Sequence, residues 1–173
     1  MKKVRVNTGL RAETVELYAR EYFFAFEIIS ANNAKVREII FKDNPFNISP
    51  RIRRKLRSGE LKEPITPLVT CLAFSLELYL KALLVKLTGE CPRGHDLKCL
   101  FGMFDEPVKR GIIQGCCDID PELNFDNVGK FIERIATGYV DWRYAYEEQS
   151  QTYMINFGAI LVKSLQQMLK NPA

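Results

Sequence analysis

The sequence of 173 residues contains one histidine, and its surroundings are the first place to look for chemistry. Cys91, His95 and Cys99 have the spacing C-x3-H-x3-C, and Cys116 or Cys117 would complete the ligand set of a tetrahedral zinc site. The C-x2-C knuckle that is common in such sites is missing, and free cysteines are often buried as small apolar residues. We therefore predict no metal and no cofactor. His95 is then either a hydrogen-bonded structural residue or an acid, a base or a phosphate ligand.

Two charged residues stand in the middle of the most apolar stretch of the chain, Pro67–Gly89. A helix that is apolar on nearly every face is buried, either in a bundle or in a membrane. Each charge would cost roughly 2.5–3.5 kcal/mol at a bilayer centre, which favours the bundle. Glu77 and Lys81 are four residues apart, so they can pair on one helix face. We predict a central helix that carries this structural pair and ends at Gly89.

Two other groups have side chains suited to nucleic acids. Arg143 can bind a phosphate and Tyr144 can stack on a base, although the same residues would also suit an aromatic helix face packed on the core. A short basic helix is predicted between Ser49 and Gly59. It is either a nucleic-acid contact or a solvated connector, and its basic residues are Arg51, Arg53, Arg54, Lys55 and Arg57.

The elements that must position these residues are helices. Apolar residues recur at helical spacing over residues 10–41 and 153–170, and we predict shorter helices at 95–104, 106–114 and 127–136. Asp96 suits the N-terminus of the first of these short helices, by capping or by the helix dipole. No alternating pattern of useful length predicts a strand. The predicted fold is all-α, an up-and-down helical bundle of four to five main helices with short connecting helices.

The length suits one domain over residues 1–173. Residues 1–62 would supply an N-terminal helix and the basic connector, and residues 63–173 would form the core. The N-terminal portion has 14 basic and 7 acidic residues, whereas the rest has 11 and 14, so an anionic partner would be steered to the N-terminal portion. The five cysteines have irregular spacing, and the sequence does not start with the apolar segment of a signal peptide. We therefore predict a cytoplasmic protein that is not in a membrane.

The first long helix has two apolar stripes, which require burial on two sides. Either it packs between two helices of its own chain, or the second stripe forms a homodimer interface. The first stripe comprises Val15, Tyr18, Tyr22, Phe26 and Ile29, and the second comprises Leu17, Phe24 and Ile28.

Three stretches in this order resemble the HEPN family (higher eukaryotes and prokaryotes nucleotide-binding domain). They are E-x-x-L-K-A-L-L at 77–84 in the central helix, a glycine followed by P-x-G-H-D-L at 92–97, and the R-Y pair at 143–144. The resemblance extends over residues 66–147. It implies a helical bundle that usually homodimerises and binds nucleotides or RNA. It also implies a toxin–antitoxin or phage-defence setting, sometimes with a nucleotidyltransferase or antitoxin-type partner.

Many members of the family are metal-independent ribonucleases with an R-x4-6-H motif, and this chain departs from it. The positions five and six residues before His95 are Glu90 and Gly89, and positions 148–150 after Arg143 are Glu, Gln and Ser. We therefore predict binding of nucleotide or RNA without ribonuclease activity. The alternatives are a protein–protein interaction module and a ribonuclease that uses His95 and Arg143.

The resemblance assigns ligand binding to Lys81, His95, Asp96, Arg143 and Tyr144. In this interpretation Lys81, His95 and Arg143 would hold a phosphate in a groove of the bundle, with Tyr144 stacking nearby. The alternative is that Glu77–Lys81 and Asp96–Arg143 are buried pairs that fix the register of the helices.

Overall fold

A computed structural model describes residues 6–32, 65–133 and 155–171. Two predicted features lie outside these residues: the basic connector, with its five basic side chains, and the Arg143–Tyr144 pair. What was predicted of them stays a prediction. The described chain is a helical bundle, as the all-α prediction required, and it has one small two-stranded ribbon in addition. Its strands are β1 (Val6–Thr8) and β2 (Glu90–Pro92), and its helices are α1 (Ala12–Asn32), α2 (Ile65–Thr88), α3 (Leu97–Gly102), α4 (Glu106–Ile119), α5 (125–133) and α6 (Ile155–Lys170).

Helix α2 is the centre of the bundle, with α1 and α6 packed along it. By length and composition alone its segment Pro67–Thr88 could cross a membrane, but most of this segment is buried inside the chain. Each fully buried leucine contributes roughly 1.5–3 kcal/mol to folding, so this helix is the largest single source of stability. Its fully buried large side chains include Leu68, Leu76, Tyr79, Leu80 and Leu83.

The end of α2 follows the predicted pattern. The N–H of Gly89 donates to the carbonyl of Val85 at 2.8 Å, and Gly89 has φ +75°, the left-handed conformation that closes many helices. The chain then turns back as β2, which pairs antiparallel with β1. This three-residue ribbon was not predicted, because strands this short leave no periodic signal in the sequence.

The core face of helix α1 is rotated from the predicted first stripe. Val15 and Phe26 of that stripe are buried and Ile29 packs against the core, but Tyr18 and Tyr22 are exposed, and Ala19 and Phe23 are buried instead. The reason is close approach: Ala19 is fully covered, and its carbonyl accepts a hydrogen bond from the Ser75 hydroxyl of α2 at 3.0 Å. A small residue on the contact line brings the two backbones together, and the bulky tyrosines are turned to the flank.

Helices α6 and α4 close the other side of the core. At Gly158 of α6, a Cβ atom would lie 2.9 Å from Leu72, so α6 approaches α2 where only a glycine fits without a shift. Helix α4 continues to Ile119, beyond the predicted end at Gln114. The buried Ser164 hydroxyl of α6 donates to the carbonyl of Ile112 at 2.6 Å, and Gly115, just beyond the predicted end, lies against the same side chain. The predicted end of this helix was therefore five residues too early.

The described part of the N-terminal portion shares one core with the rest of the chain. Val15, Ala19, Phe23 and Phe26 of α1 belong to the same buried cluster as the inward side chains of α2, α4 and α6. The ribbon adds a second connection between the two portions, since β1 precedes α1 and β2 follows α2.

Candidate functional site

The candidate site lies where the chain returns along α2 after Gly89. Glu77 is 11 residues before the last residue of α2, which corresponds to about 17 Å of helix. The return from Gly89 to His95 is mostly extended and can span about 20 Å. A return of this length brings His95 back beside Glu77, although 18 residues separate them in sequence.

Three side chains meet at a single carboxylate oxygen. Oε1 of Glu77 lies 2.8 Å from Nζ of Lys81 and 2.8 Å from Nδ1 of His95. The side chains of Glu77 and Lys81 are 4% and 9% exposed, whereas that of His95 is 58% exposed. We call these three residues the Glu77 cluster. It has a buried ion pair beneath a histidine that faces the solvent.

The cluster fixes which ring nitrogen of His95 donates and how the ring is oriented. Oε1 of Glu77 already accepts from the Lys81 ammonium, and a carboxylate can only accept hydrogen bonds. Nδ1 of His95 must therefore carry a hydrogen and donate a hydrogen bond to Glu77. The neutral ring then leaves Nε2 as an acceptor, and the protonated ring makes Nε2 a donor. Either way, the hydrogen bond holds the ring in one orientation.

Lys81 was predicted both as half of a structural pair and as a phosphate ligand. The predicted pair with Glu77 is confirmed. Because its ammonium is nearly covered and donates to Glu77, Lys81 offers little surface to a ligand. Its positive charge acts on the site through Glu77, to which the ammonium donates a hydrogen bond.

Asp96 has a structural role that the sequence predicted. Its carboxylate accepts a hydrogen bond from the backbone N–H of Cys99 at 2.9 Å and forms the N-cap of α3. This cap is expected to contribute about 1 kcal/mol and fixes the residue after His95. Arg93, which sequence reasoning did not single out, lies in the same exposed loop two residues before His95. It adds a positive charge to this loop.

Two of the cysteines in the possible zinc set, Cys91 and Cys116, are buried. All five cysteines of the chain are free, and burial raises the pKa of the Cys91 thiol. Burial also raises the pKa of Cys116 to about 12, so this thiol is a neutral core residue at physiological pH. Among the described residues, no group of three or more His, Cys, Asp and Glu side chains is placed to hold a metal ion.

Part of the site was therefore predictable. The sequence singled out Glu77, Lys81, His95 and Asp96, and the structure brings the first three together. The carboxylate of Asp96 is not part of that cluster, because it caps α3. The sequence interpretation missed the contact between Glu77 and His95. The signal for it was that the helix from Glu77 to its end and the segment from Gly89 to His95 have similar lengths.

Comparison with known proteins agrees with the resemblance found in the motifs. A family model described as the HEPN domain matches residues 73–157, about half of the chain, and this range contains the whole Glu77 cluster. Searches of the curated proteins and of the solved structures return no match. Residues 73–157 of this chain belong to the HEPN domain family.

Proposed function

We propose that this chain is a nucleotide- or RNA-binding module without ribonuclease activity, in which Nε2 of His95 contacts the ligand. The observation that carries the proposal is the buried Glu77 carboxylate, which accepts from Nδ1 of His95 at 2.8 Å. A buried ion pair is expensive to desolvate and is weak evidence for stability, so its value here lies in the orientation that it gives to an exposed ring. When protonated, Nε2 donates to a phosphate oxygen; when neutral, it accepts from a ribose hydroxyl.

The ligand would lie across the 93–96 loop. Arg93 is exposed there and supplies a forked donor for a second phosphate oxygen. From the family resemblance, Arg143 would bind a further phosphate and Tyr144 would stack on a base. The basic connector would extend the contact along an RNA backbone through charge alone, using Arg51, Arg53, Arg54, Lys55 and Arg57.

The setting is also part of the proposal. We place the protein in the cytoplasm as a homodimer that acts in a toxin–antitoxin or defence system. A nucleotidyltransferase or antitoxin-type protein would be its partner. The resemblance to the HEPN family supports this setting, and the basic N-terminal portion supports an anionic ligand.

A second candidate function rests on the same geometry. A carboxylate that orients an imidazole and leaves its other nitrogen exposed is also the arrangement of a general base. A metal-independent ribonuclease would use His95 as that base and Arg143 to stabilise the developing charge. The lack of an R-x4-6-H pattern makes binding without cleavage the first candidate.

One titration separates these functions. Chelator-treated protein is added to a fluorescent single-stranded RNA at several salt concentrations, and the RNA is then run on a gel. We expect salt-dependent binding with the RNA intact. Neutralising Arg51, Arg53 and Arg54 together should reduce the slope of log affinity against log salt by about 2, since each phosphate contact on a single strand contributes about 0.7.

A matched control neutralises three exposed basic residues elsewhere, Arg110, Lys130 and Lys170, and should leave the slope nearly unchanged. Absence of binding at low salt would contradict the proposal. Cleavage that disappears in His95→Ala, with the circular dichroism spectrum unchanged, would replace it with the ribonuclease function.

A further inference from the structure

Strand β1 pairs with the segment that carries His95 back along α2. Its partner β2 ends at Pro92, and only two residues separate Pro92 from His95. In sequence the two strands are far apart, because α1 and α2 lie between them. The ribbon therefore connects the start of the described chain to the exposed ring of the candidate site.

The loop that carries His95 is anchored on both sides. After His95, the carboxylate of Asp96 caps α3, and the first residue of that helix is buried. Before it, the last two residues of β2 are buried. Residues 93–95 between these anchors are exposed, so the position of the imidazole ring depends on where β2 lies.

Strand β2 lies beside the buried ion pair. It packs on α2, and its residue Cys91 is 7% exposed. Burial raises the pKa of the Cys91 thiol, and the charges of Lys81 and Glu77 also act on this thiol, which places it near the Glu77 cluster. A shift of β2 away from α2 would therefore change how far the segment after it reaches towards Glu77.

The register of the ribbon identifies the backbone groups that hold β2. The facing pairs are Val6–Pro92, Asn7–Cys91 and Thr8–Glu90. In an antiparallel ladder, pairs that exchange two backbone hydrogen bonds alternate with pairs that exchange none. Proline has no N–H, so Val6–Pro92 is a pair of the second kind and Asn7–Cys91 is the pair that exchanges both. The N–H of Thr8 then points away from β2.

We propose that the backbone of β1 is a positioning element: through the Asn7–Cys91 pair it holds β2 against α2, which keeps Nδ1 of His95 on Glu77 and Nε2 directed at the ligand. A two-stranded ribbon is only marginally stable by itself, so the loss of one backbone contact is enough to open it. The contact with a ligand rests on the proposed function, whereas the orientation of the ring is a property of the free protein.

Two proline variants one residue apart test this role. Asn7→Pro removes the N–H that donates to β2, whereas Thr8→Pro removes an N–H that faces away from β2, and neither changes the charge. Nitrogen NMR of the free protein, with the His95 ring titrated to its neutral form, reports the position of the ring proton. The proton should be on Nδ1 in the wild type and in Thr8→Pro, and distributed over both nitrogens in Asn7→Pro.

RNA affinity gives a quantitative check on the same variants. A ligand that binds only the held ring loses affinity in proportion to the fraction of molecules in which the ring is held. Asn7→Pro should bind RNA about 5-fold more weakly, because the pairing is marginal and the buried Cys91 carbonyl loses its donor. This loss should match the held fraction in the NMR spectrum. A merely structural role would lower the free energy of unfolding but leave the ring of the folded molecules on Glu77.

A gentler variant covers the case in which Asn7→Pro does not fold. Gly9 has φ +114° where β1 leads into α1, so Gly9→Ala strains that connection without meeting a neighbouring atom. Its control is Gly102→Ala, which has equal space and no such φ. Gly9→Ala should release part of the rings from Glu77, and Gly102→Ala should release none.

A ring that stays on Glu77 in Asn7→Pro, or in Gly9→Ala if the proline variant is unfolded, would overturn the proposal. A ring released as fully in Thr8→Pro as in Asn7→Pro would also overturn it. If the wild type binds no RNA, the binding function is wrong, and the NMR comparison still decides the role of β1.

Discussion

Replacing Glu77 by alanine is expected to lower the free energy of unfolding by about 3–5 kcal/mol, the largest effect of any single change outside the apolar core. The reason is that Lys81, 9% exposed, would be left with an uncompensated buried charge. Urea denaturation followed by circular dichroism measures the loss. The matched control is Glu16→Ala, which removes an i, i+4 ion pair of the same 2.8 Å length from the exposed face of α1.

The control should cost less than about 1 kcal/mol, because exposed ion pairs contribute little. Equal costs for the two variants would show that Glu77 is not the buried partner of Lys81. A second comparison separates stability from binding. The double variant Glu77→Leu, Lys81→Met replaces the pair by apolar side chains and should return to within about 1–2 kcal/mol of the wild type. Its RNA affinity should nevertheless stay below that of the wild type, because His95 has lost the group that orients it.

His95→Asn is expected to lower RNA affinity by about 10- to 100-fold while leaving the free energy of unfolding nearly unchanged. The asparagine amide retains a donor near the position of Nδ1, which keeps Glu77 hydrogen-bonded, but it has nothing at the position of Nε2. Fluorescence titration and urea denaturation of the same preparation measure the two quantities.

Cys99→Ser is the control for His95→Asn, since Cys99 is exposed near the start of the neighbouring helix α3. It should bind RNA as the wild type does. If His95→Asn binds RNA with unchanged affinity, Nε2 does not contact the ligand. If it unfolds the protein, His95 is chiefly a structural residue.

The features that the sequence predicted depend on local spacing. Glu77 and Lys81 are four residues apart, Asp96 precedes a short apolar helix, and Gly89 follows a long one. In each case the partner is within one turn, so a regular helix is enough to bring the groups together. The HEPN motifs are local in the same sense, and they identified the family from the residues alone.

The features that the sequence did not predict depend on packing between elements. The face that α1 turns to the core follows from the close approach of Ala19 to Ser75, which no periodicity on α1 records. The extension of α4 beyond Gln114 places Gly115 against Ser164 of α6, a contact that the sequence pattern does not record. The hydrogen bond from His95 to Glu77 links two segments that a turn and a strand separate in sequence. It therefore depends on how far the segment after Gly89 runs back along α2.

The most direct test of the central claim is the nitrogen NMR spectrum of the imidazole ring, because the chain has one histidine. Once the ring has been titrated to its neutral form in the same spectrum, the free protein should show a proton on Nδ1 and none on Nε2. Adding the RNA oligomer should shift the Nε2 resonance, towards the protonated position if a phosphate is the contact. A neutral ring with its single proton on Nε2 in the free protein, or an Nε2 resonance that does not move at saturating RNA, would contradict the claim that Glu77 holds His95 ready for a nucleic-acid ligand.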